Sequence, residues 1–264
     1  VRRRRLDAEL VRRGLAVSPA AAKDVVDAGR VRVAGAVATR PTTMVTPDVA
    51  IDVTGENVRP FVSRAGGKLV AALDRFEVDP AGRRSLDAGA STGGFTDALL
   101  QRGAAHVIAV DVGYGQLAWS IRTDERVTVL ERTNVRDLSA GDLPYAPDLV
   151  VADLSFVSLR AMLPSLVGVA TPDAAFLVLV KPQFEAGRAD VGDGGVVRDP
   201  SVWKRVLDAV IAAADALGLG AHAVMASPLP GPAGNVEFML RLGPGPEGGA
   251  DVDAAVAEGT RWLR

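Results

Sequence analysis

Two unbroken apolar runs, each closed by a single charge, constrain this chain more than any other feature. They are Leu149-Val150-Val151-Ala152-Asp153 and Phe176-Leu177-Val178-Leu179-Val180-Lys181. Alternate side chains of a strand point to opposite faces, so a run with no polar position is covered on both. Such strands belong to a parallel sheet with helices on each side. From Arg84 onward strand and helix patterns alternate. The pattern predicts strands at 84–88, 106–111, 127–131, 148–153, 175–181, 221–226 and 235–242, and helices at 94–102, 115–122, 158–168 and 201–217. The expected architecture is α/β, a doubly wound and mostly parallel sheet of seven strands. The last strand follows another with no helix between, so it is expected to run antiparallel, at or near an edge. The Gly/Pro-rich segment 243–249 reads as a joint before a last short helix.

Residues 4–60 follow a different pattern, that of a small α+β module. Leu6, Leu10 and Val11 share one helical face, with Arg12 and Arg13 on another and Gly14 as a stop. Ser18-Pro19 reads as a cap followed by proline at the first helical position. Val31-Arg32-Val33 alternates, Gly35 turns, and short strands follow near Val37 and Val49–Val53. Polar residues 54–57 place a boundary near Arg59. A helix over 64–77 then leads into the larger domain.

The net charge of −2 hides an asymmetry: residues 1–60 carry 11 Lys+Arg against 7 Asp+Glu, and the remainder is acidic. A basic head on an acidic body suits a polyanion-binding module. The chain has no cysteine, which excludes disulfides, thiolate nucleophiles and iron–sulfur clusters. With only His106 and His222, no metal centre is expected. No run approaches the ~18 apolar residues of a membrane span, so a cytoplasmic protein with no membrane partner is expected.

The first strand of the larger domain ends Leu86-Asp87-Ala88-Gly89, followed by Ala90-Ser91-Thr92-Gly93-Gly94-Phe95. A glycine-rich turn entering a helix lets backbone approach a ligand. Asp111 ends the next strand, placed to accept hydrogen bonds from ribose hydroxyls. A dinucleotide is one reading, but Ser91 stands where Gly-x-Gly-x-x-Gly needs its second glycine. Gly-x-Ser-x-Gly-Gly with an acid two residues before it better suits S-adenosylmethionine, which has no pyrophosphate to cradle. Tight packing alone is the bland alternative.

Four residues fall where open α/β sheets bind ligands, beyond the carboxyl ends of strands. Asp153 and Lys181 close the two apolar runs, Glu237 follows the glycine-rich turn 231–234, and Lys68 lies on the helix before the first strand. The chain has only four lysines among 30 basic residues, and two are in this set. Lysine, unlike arginine, can give up its proton when buried or beside another cation. The set suits methyl transfer to a ribose hydroxyl, a poor nucleophile that must be oriented and relieved of its proton. Either Lys181 acts as base, or the lysines stay charged and stabilise developing alkoxide. Singly, each residue reads as a solvated strand end; together, beside a cofactor turn, they point to chemistry. Phe156 could stack on adenine, stack on a flipped base, or pack in the core. No Asn/Asp-Pro-Pro-Tyr/Phe string is present, which disfavours methylation of base amines.

The head resembles an S4 RNA-binding domain in Arg5-Leu6-Asp7-x-x-Leu10, Gly14-Leu15, Ser18 and Gly29-x-Val31-x-Val33-x-Gly35. The rest resembles the FtsJ-like ribose methyltransferases. The combination is similar to the TlyA family of rRNA cytidine-2′-O-methyltransferases, often given hemolysin names. The matching segments include Ser63-Arg64-x-x-x-Lys68, Asp111-Val112-Gly113-Tyr114-Gly115-Gln116, Asp153-Leu154-Ser155-Phe156, Lys181-Pro182-Gln183-Phe184-Glu185 and Gly234-Asn235-Val236-Glu237.

The resemblance implies a Rossmann-like, S-adenosylmethionine-dependent methyltransferase domain at 64–264. An S4-like domain would occupy 1–58, with a linker at 59–63. Lys68, Asp153, Lys181 and Glu237 take the catalytic places. Asp87, Gly89, Ala90, Ser91, Thr92, Gly93, Gly94, Asp111, Asn134 and Phe156 are the implied cofactor contacts. Arg3, Arg4, Arg5, Arg13 and Arg64 are the implied RNA contacts. The implied partner is rRNA in the 30S subunit, the 50S subunit, or both. The family's linker is often Arg-Ala-Trp-Val; here it is Arg59-Pro60-Phe61-Val62, where proline stiffens the hinge. Competing readings are a non-catalytic ribosome-binding or assembly factor, a nicotinamide oxidoreductase and a pore-forming toxin. The intact tetrad, the missing second glycine and the lack of an amphipathic or spanning segment argue against them in turn.

Overall fold

A computed structural model of the chain describes residues 3–13, 15–16, 19–54, 61–246 and 248–263. Arg2, the Gly14 stop, the Ser18 cap and Arg59-Pro60 of the linker lie outside the described residues.

The head opens with β1 (Arg4–Arg5), α1 (Leu6–Arg12) and α2 (Pro19–Asp27). Four short strands follow: β2 (Val31–Val33), β3 (Ala36–Val37), β4 (Met44–Val45) and β5 (Ile51–Val53). Leu6, Leu10, Ala22 and Val26 bury one face of the two helices against Val31, Val45 and Ile51. β2 pairs antiparallel with β3 and β5. β1 and β4 form a separate two-stranded ribbon.

The larger domain begins with α3 (Ala65–Arg75), β6 (Arg84–Ala88), α4 (Gly94–Gln101) and β7 (His106–Asp111). It continues through α5 (Trp119–Arg122), β8 (Val127–Glu131), β9 (Leu149–Ala152), α6 (Leu159–Val169), β10 (Ala175–Val180) and α7 (Pro182–Glu185). It ends with α8 (Pro200–Asp215), β11 (Leu219–Ala226), β12 (Phe238–Pro244) and α9 (Val252–Gly259). The seven strands lie in the order β11-β12-β10-β9-β6-β7-β8. β10, β9, β6, β7 and β8 are mutually parallel. β12 runs antiparallel to both its neighbours, one place in from the β11 edge.

The apolar runs divide as the alternation requires. Leu149, Val151, Leu177 and Leu179 face a core shared with α3 and α4. Val150, Ala152, Phe176, Val178 and Val180 face a second core shared with α6 and α8. Trp203 anchors that second core, its Nε1 donating to the Val197 carbonyl at 2.9 Å.

Two element boundaries differ from expectation. The helix predicted over 115–122 is only Trp119–Arg122. Gly115 sits at φ +69°, and its N–H donates to the Glu131 carboxylate at 2.7 Å, so the chain before Trp119 forms a turn. The last strand begins at Phe238 and runs to Pro244. Asn235 is held out of the ladder: its side chain accepts from Val197 N and donates to the Gly195 carbonyl, both at 2.9 Å. The expected joint therefore starts inside the strand, where Gly243 pairs with Gly220.

The head packs on the large domain beside α5. A Cβ added to Gly35 would lie 3.4 Å from the Trp119 ring, and one added to Gly115 would lie 2.5 Å from the Asp48 carbonyl oxygen. Among the described residues, no helix is long and apolar enough to cross a membrane.

Candidate active site

Strand order reverses between β6 and β9, and the loops leaving their carboxyl ends diverge into a crevice. The β6 loop is the glycine-rich turn. Gly89 takes φ +84°, and a Cβ there would sit 2.7 Å from the Asp153 carbonyl oxygen. No other residue type fits where the two loops touch. Ser91 at φ +49° and Gly93 at φ +93° then turn the chain into the start of α4. Asp111 fastens this turn: its carboxylate accepts from Ser91 N and Gly113 N, each at 2.7 Å. Two bonds leave further lone pairs on that carboxylate for an incoming hydroxyl.

A cavity of about 950 Å³ opens beside the turn. Gly89, Ser91, Asp111, Asn134 and Phe156 all line it. Asn134 caps the short helical turn that follows it by accepting from Arg136 N at 3.0 Å. A nucleoside with an amino-acid tail fits this space and this mixed polar and apolar lining. Ala90, Thr92 and Gly94 line an adjoining cavity of about 620 Å³, bounded on one side by the head.

Asp87 is placed differently from the other expected cofactor contacts. It lies wholly buried beneath the turn, where its Oδ2 accepts from Thr96 N at 2.9 Å and Thr96 Oγ1 at 2.6 Å. Its Oδ1 has no partner among the described residues. Burial pushes this carboxyl up to about 7; the Asp153 charge adds to the rise, and the Thr96 bonds oppose it. The folded state therefore binds this proton more tightly than the unfolded chain between pH ~4 and ~7. The stabilisation is complete below the unfolded value and is lost as pH rises through about 7. Asp87→Asn should remove this dependence, so the variant gains on wild type by up to about 4 kcal/mol between pH ~4 and ~8. Urea melts across that range check it; parallel curves for the two proteins would refute the assignment.

The four expected catalytic side chains converge as two ion pairs. Lys181 Nζ lies 2.6 Å from Asp153 Oδ1 and donates to Ser155 Oγ at 2.7 Å. Lys68 Nζ lies 2.5 Å from Glu237 Oε2. Lys68, Lys181 and Glu237 are buried, Glu237 to 1% exposure. All four line the adjoining cavity. They arrive from α3, the ends of β9 and β10, and the loop before β12.

Phe156 is 91% exposed, which excludes the core-packing reading. It also holds φ +64°, a costly backbone state for an aromatic residue, and packs against Phe184 at 5.1 Å between ring centroids. Exposure, backbone strain and a place on the cavity wall set it apart from a packing residue.

The expected RNA contacts divide. Arg3 and Arg4 are exposed on the head, and Arg64 is exposed at the start of α3. Arg5 is exposed but paired with Asp7 at 2.6 Å. Arg13 is a correction. Its side chain is 3% exposed, and its nitrogens donate to Glu9, the Val49 carbonyl and the Pro47 carbonyl. It braces the head internally and offers no fork to phosphate.

Two contributors were missed from the sequence. Ser155 orients Lys181, and its place inside Asp153-Leu154-Ser155-Phe156 was the available signal. Glu185 caps α6 from a distance, accepting from Ser158 Oγ at 2.7 Å and from Leu159 N. It thereby ties the loop after Lys181 to the loop after Asp153. Arg12, one of the arginines of the head read as polyanion-binding, lines both cavities.

Fold and site together define a methyltransferase domain of the FtsJ-like class behind an RNA-binding module. Residues 61–243 match the FtsJ-like methyltransferase family, and residues 4–51 match the S4 domain. A Mycobacterium tuberculosis protein named 16S/23S rRNA (cytidine-2′-O)-methyltransferase TlyA is 57% identical over 241 residues, covering 91% of this chain and 90% of that protein. Hemolysin A of Brachyspira hyodysenteriae is 36% identical, covering 90% and 99%. A solved structure from Streptococcus thermophilus, also given a hemolysin name, superposes with a TM-score of 0.78 at 36% identity, over 99% of this chain and 97% of that one. The chain belongs to the TlyA family.

Proposed function

We propose that this protein methylates the ribose 2′-hydroxyl of cytidine in rRNA of the small subunit, the large subunit, or both, using S-adenosylmethionine. The observation that carries the reading is the convergence of Lys68–Glu237 and Lys181–Asp153 on one cavity beside the glycine-rich turn. The name of the 57% identical relative supplies the nucleoside and the rRNA.

The turn 89–94, with Asp111 and Asn134, would hold the cofactor, which when bound supplies an electrophilic methyl group. Lys181 sits at the cavity wall with its Nζ fixed by Asp153 and Ser155. From there it meets the target hydroxyl, either accepting its proton or stabilising the oxygen as charge develops. Glu237 fixes Lys68 at the same cavity. Because these groups are held before substrate arrives, most of the acceleration comes from positioning. Phe156 offers its exposed ring as a stacking surface for a base.

In this reading the S4 domain (1–58), joined through 59–63 to the methyltransferase domain (64–264), docks on folded rRNA by backbone contacts. Of the expected RNA contacts, Arg3, Arg4 and Arg64 are exposed and make no ion pair among the described residues. Ribosomal subunits as substrate would place the protein in the cytoplasm.

The test is transfer of tritiated methyl to purified 30S and 50S subunits lacking their own modification. Label in ribose of at least one subunit is expected. Folded, cofactor-binding protein that labels neither would refute the reading and favour a non-catalytic ribosome-binding factor.

A further inference from the structure

We propose that Arg12, carried on α1 of the S4 domain, forms a phosphate-binding subsite inside the methyl-transfer cleft and grips the phosphodiester beside the target ribose. The proposal rests on the ribose-methylation reading above. It assigns the head a role in the chemistry itself, beyond docking.

The argument begins with charge. The cleft between the domains is lined by Arg12, Arg13 and Arg64 as well as the tetrad. Lys68 is neutralised by Glu237 and Lys181 by Asp153. Buried Glu9 lies under α1 and serves Arg12 and Arg13 together. Arg13 also feels the Asp48 carboxylate and Arg12 does not, so of the two guanidiniums that share Glu9, Arg12 is the less fully balanced. Arg13 is enclosed, whereas the Arg12 side chain is 46% exposed, so Arg12 is the member of the pair open to an anion. Arg64 carries the cleft's unmatched positive charge among the described residues.

Geometry adds direction. Arg12 Nε and Nη2 donate to the two oxygens of Glu9, at 2.8 and 2.5 Å. Nη1 has no partner among the described residues, and the side chain borders both cavities. A guanidinium already fixed by two bonds loses little further freedom on gripping an anion. In RNA the carbon bearing the 2′-hydroxyl adjoins the carbon bearing the 3′-phosphodiester. A ribose presented to Lys181 therefore brings a phosphate into the same cleft, and a fork suits phosphate oxygens.

The experiment compares wild type with Arg12→Gln and Arg12→Lys in the full-length protein. The substrates are unmodified 30S and 50S subunits, at 50 to 200 mM KCl as salt steps. Single-turnover methyl transfer at saturating subunit should fall about 10- to 100-fold in Arg12→Gln, with partial recovery in Arg12→Lys, which keeps the charge and loses the fork. The slope of log kcat/KM against log [KCl] should become shallower by about 0.7–0.9, one phosphate contact. S-adenosylmethionine affinity by calorimetry should match wild type; the thermal midpoint should fall only modestly and to a similar extent in both variants, because Arg13 still pairs with buried Glu9. A saturated rate equal to wild type in both variants would overturn the proposal, as would weakened cofactor binding, which would assign Arg12 to the cofactor. Absence of label with wild type would instead refute the methylation reading.

Discussion

Replacing Lys181 by alanine is expected to lower methyl transfer to ribosomal subunits at least 10³-fold, on the scale of proton-transfer and electrostatic terms combined. Binding of S-adenosylmethionine should stay within a few-fold of wild type. Lys181 borders the same cavity from the end of β10, but in the proposed reading the turn 89–94 and Asp111 carry the polar contacts to the cofactor, so its loss removes none of them. Folding should survive, because the abandoned Asp153 side chain keeps some contact with water at the cavity edge. Lys181→Arg separates the two roles open to this residue. Arginine keeps a charge at the site but does not give up its proton. Recovery of a substantial rate by arginine would mean charge stabilisation, and a null rate with retained folding would mean proton acceptance. Single-turnover transfer of tritiated methyl, with calorimetry for the cofactor, reads both quantities. Loss of cofactor affinity in parallel with rate would make Lys181 a structural residue.

The strands of the methyltransferase core were legible because a parallel strand covered on both faces has only one pattern open to it. The terminal charges were legible because Asp153 and Lys181 interrupt unbroken apolar runs. Glu237 was found beside the glycine-rich turn, but its pairing with Lys68, 169 positions earlier, depends on tertiary packing. Arg13 shows the limit of reading charge from a helical face. The sequence places it beside Arg12, and only the path of the Pro47–Val49 segment shows that its fork is enclosed. Arg12 shows the converse: nothing local indicates that this part of the head borders the cavities of another domain. The ribbon of β1 and β4 was missed because two-residue strands have no periodicity, and the helix over 115–122 was overextended because Gly115 takes a left-handed turn. Phe156 was ambiguous in sequence, since a core aromatic and an exposed platform are the same letter; burial and backbone strain decide between them.

The Lys68–Glu237 pair should behave unlike Lys181–Asp153, because both of its members are shut away from water. Glu237→Gln leaves an ammonium buried beside an amide that cannot balance its charge. Breaking a buried pair from one side typically costs about 3–5 kcal/mol, which for a chain of this size lowers the thermal midpoint by roughly 10 °C. Loss of activity in that variant alone would say nothing about chemistry, since a shifted Lys68 would disturb the cleft. The informative protein is the double variant Lys68→Met with Glu237→Gln. Removing both charges also removes the stranded one, and apolar replacement of a buried pair is often neutral for stability. The double variant is expected to regain most of the lost midpoint and to bind S-adenosylmethionine, yet to transfer no methyl group. Thermal melts and single-turnover transfer on the three proteins provide the comparison. A double variant that is stable and active would show the pair to be a structural brace, leaving Lys181 and Asp153 to carry the chemistry alone. A double variant as unstable as Glu237→Gln would show that the site tolerates neither a lone charge nor an apolar substitute. The pair's burial would then be a constraint of packing around Gly231, where an added Cβ would lie 2.5 Å from Glu237 Oε1.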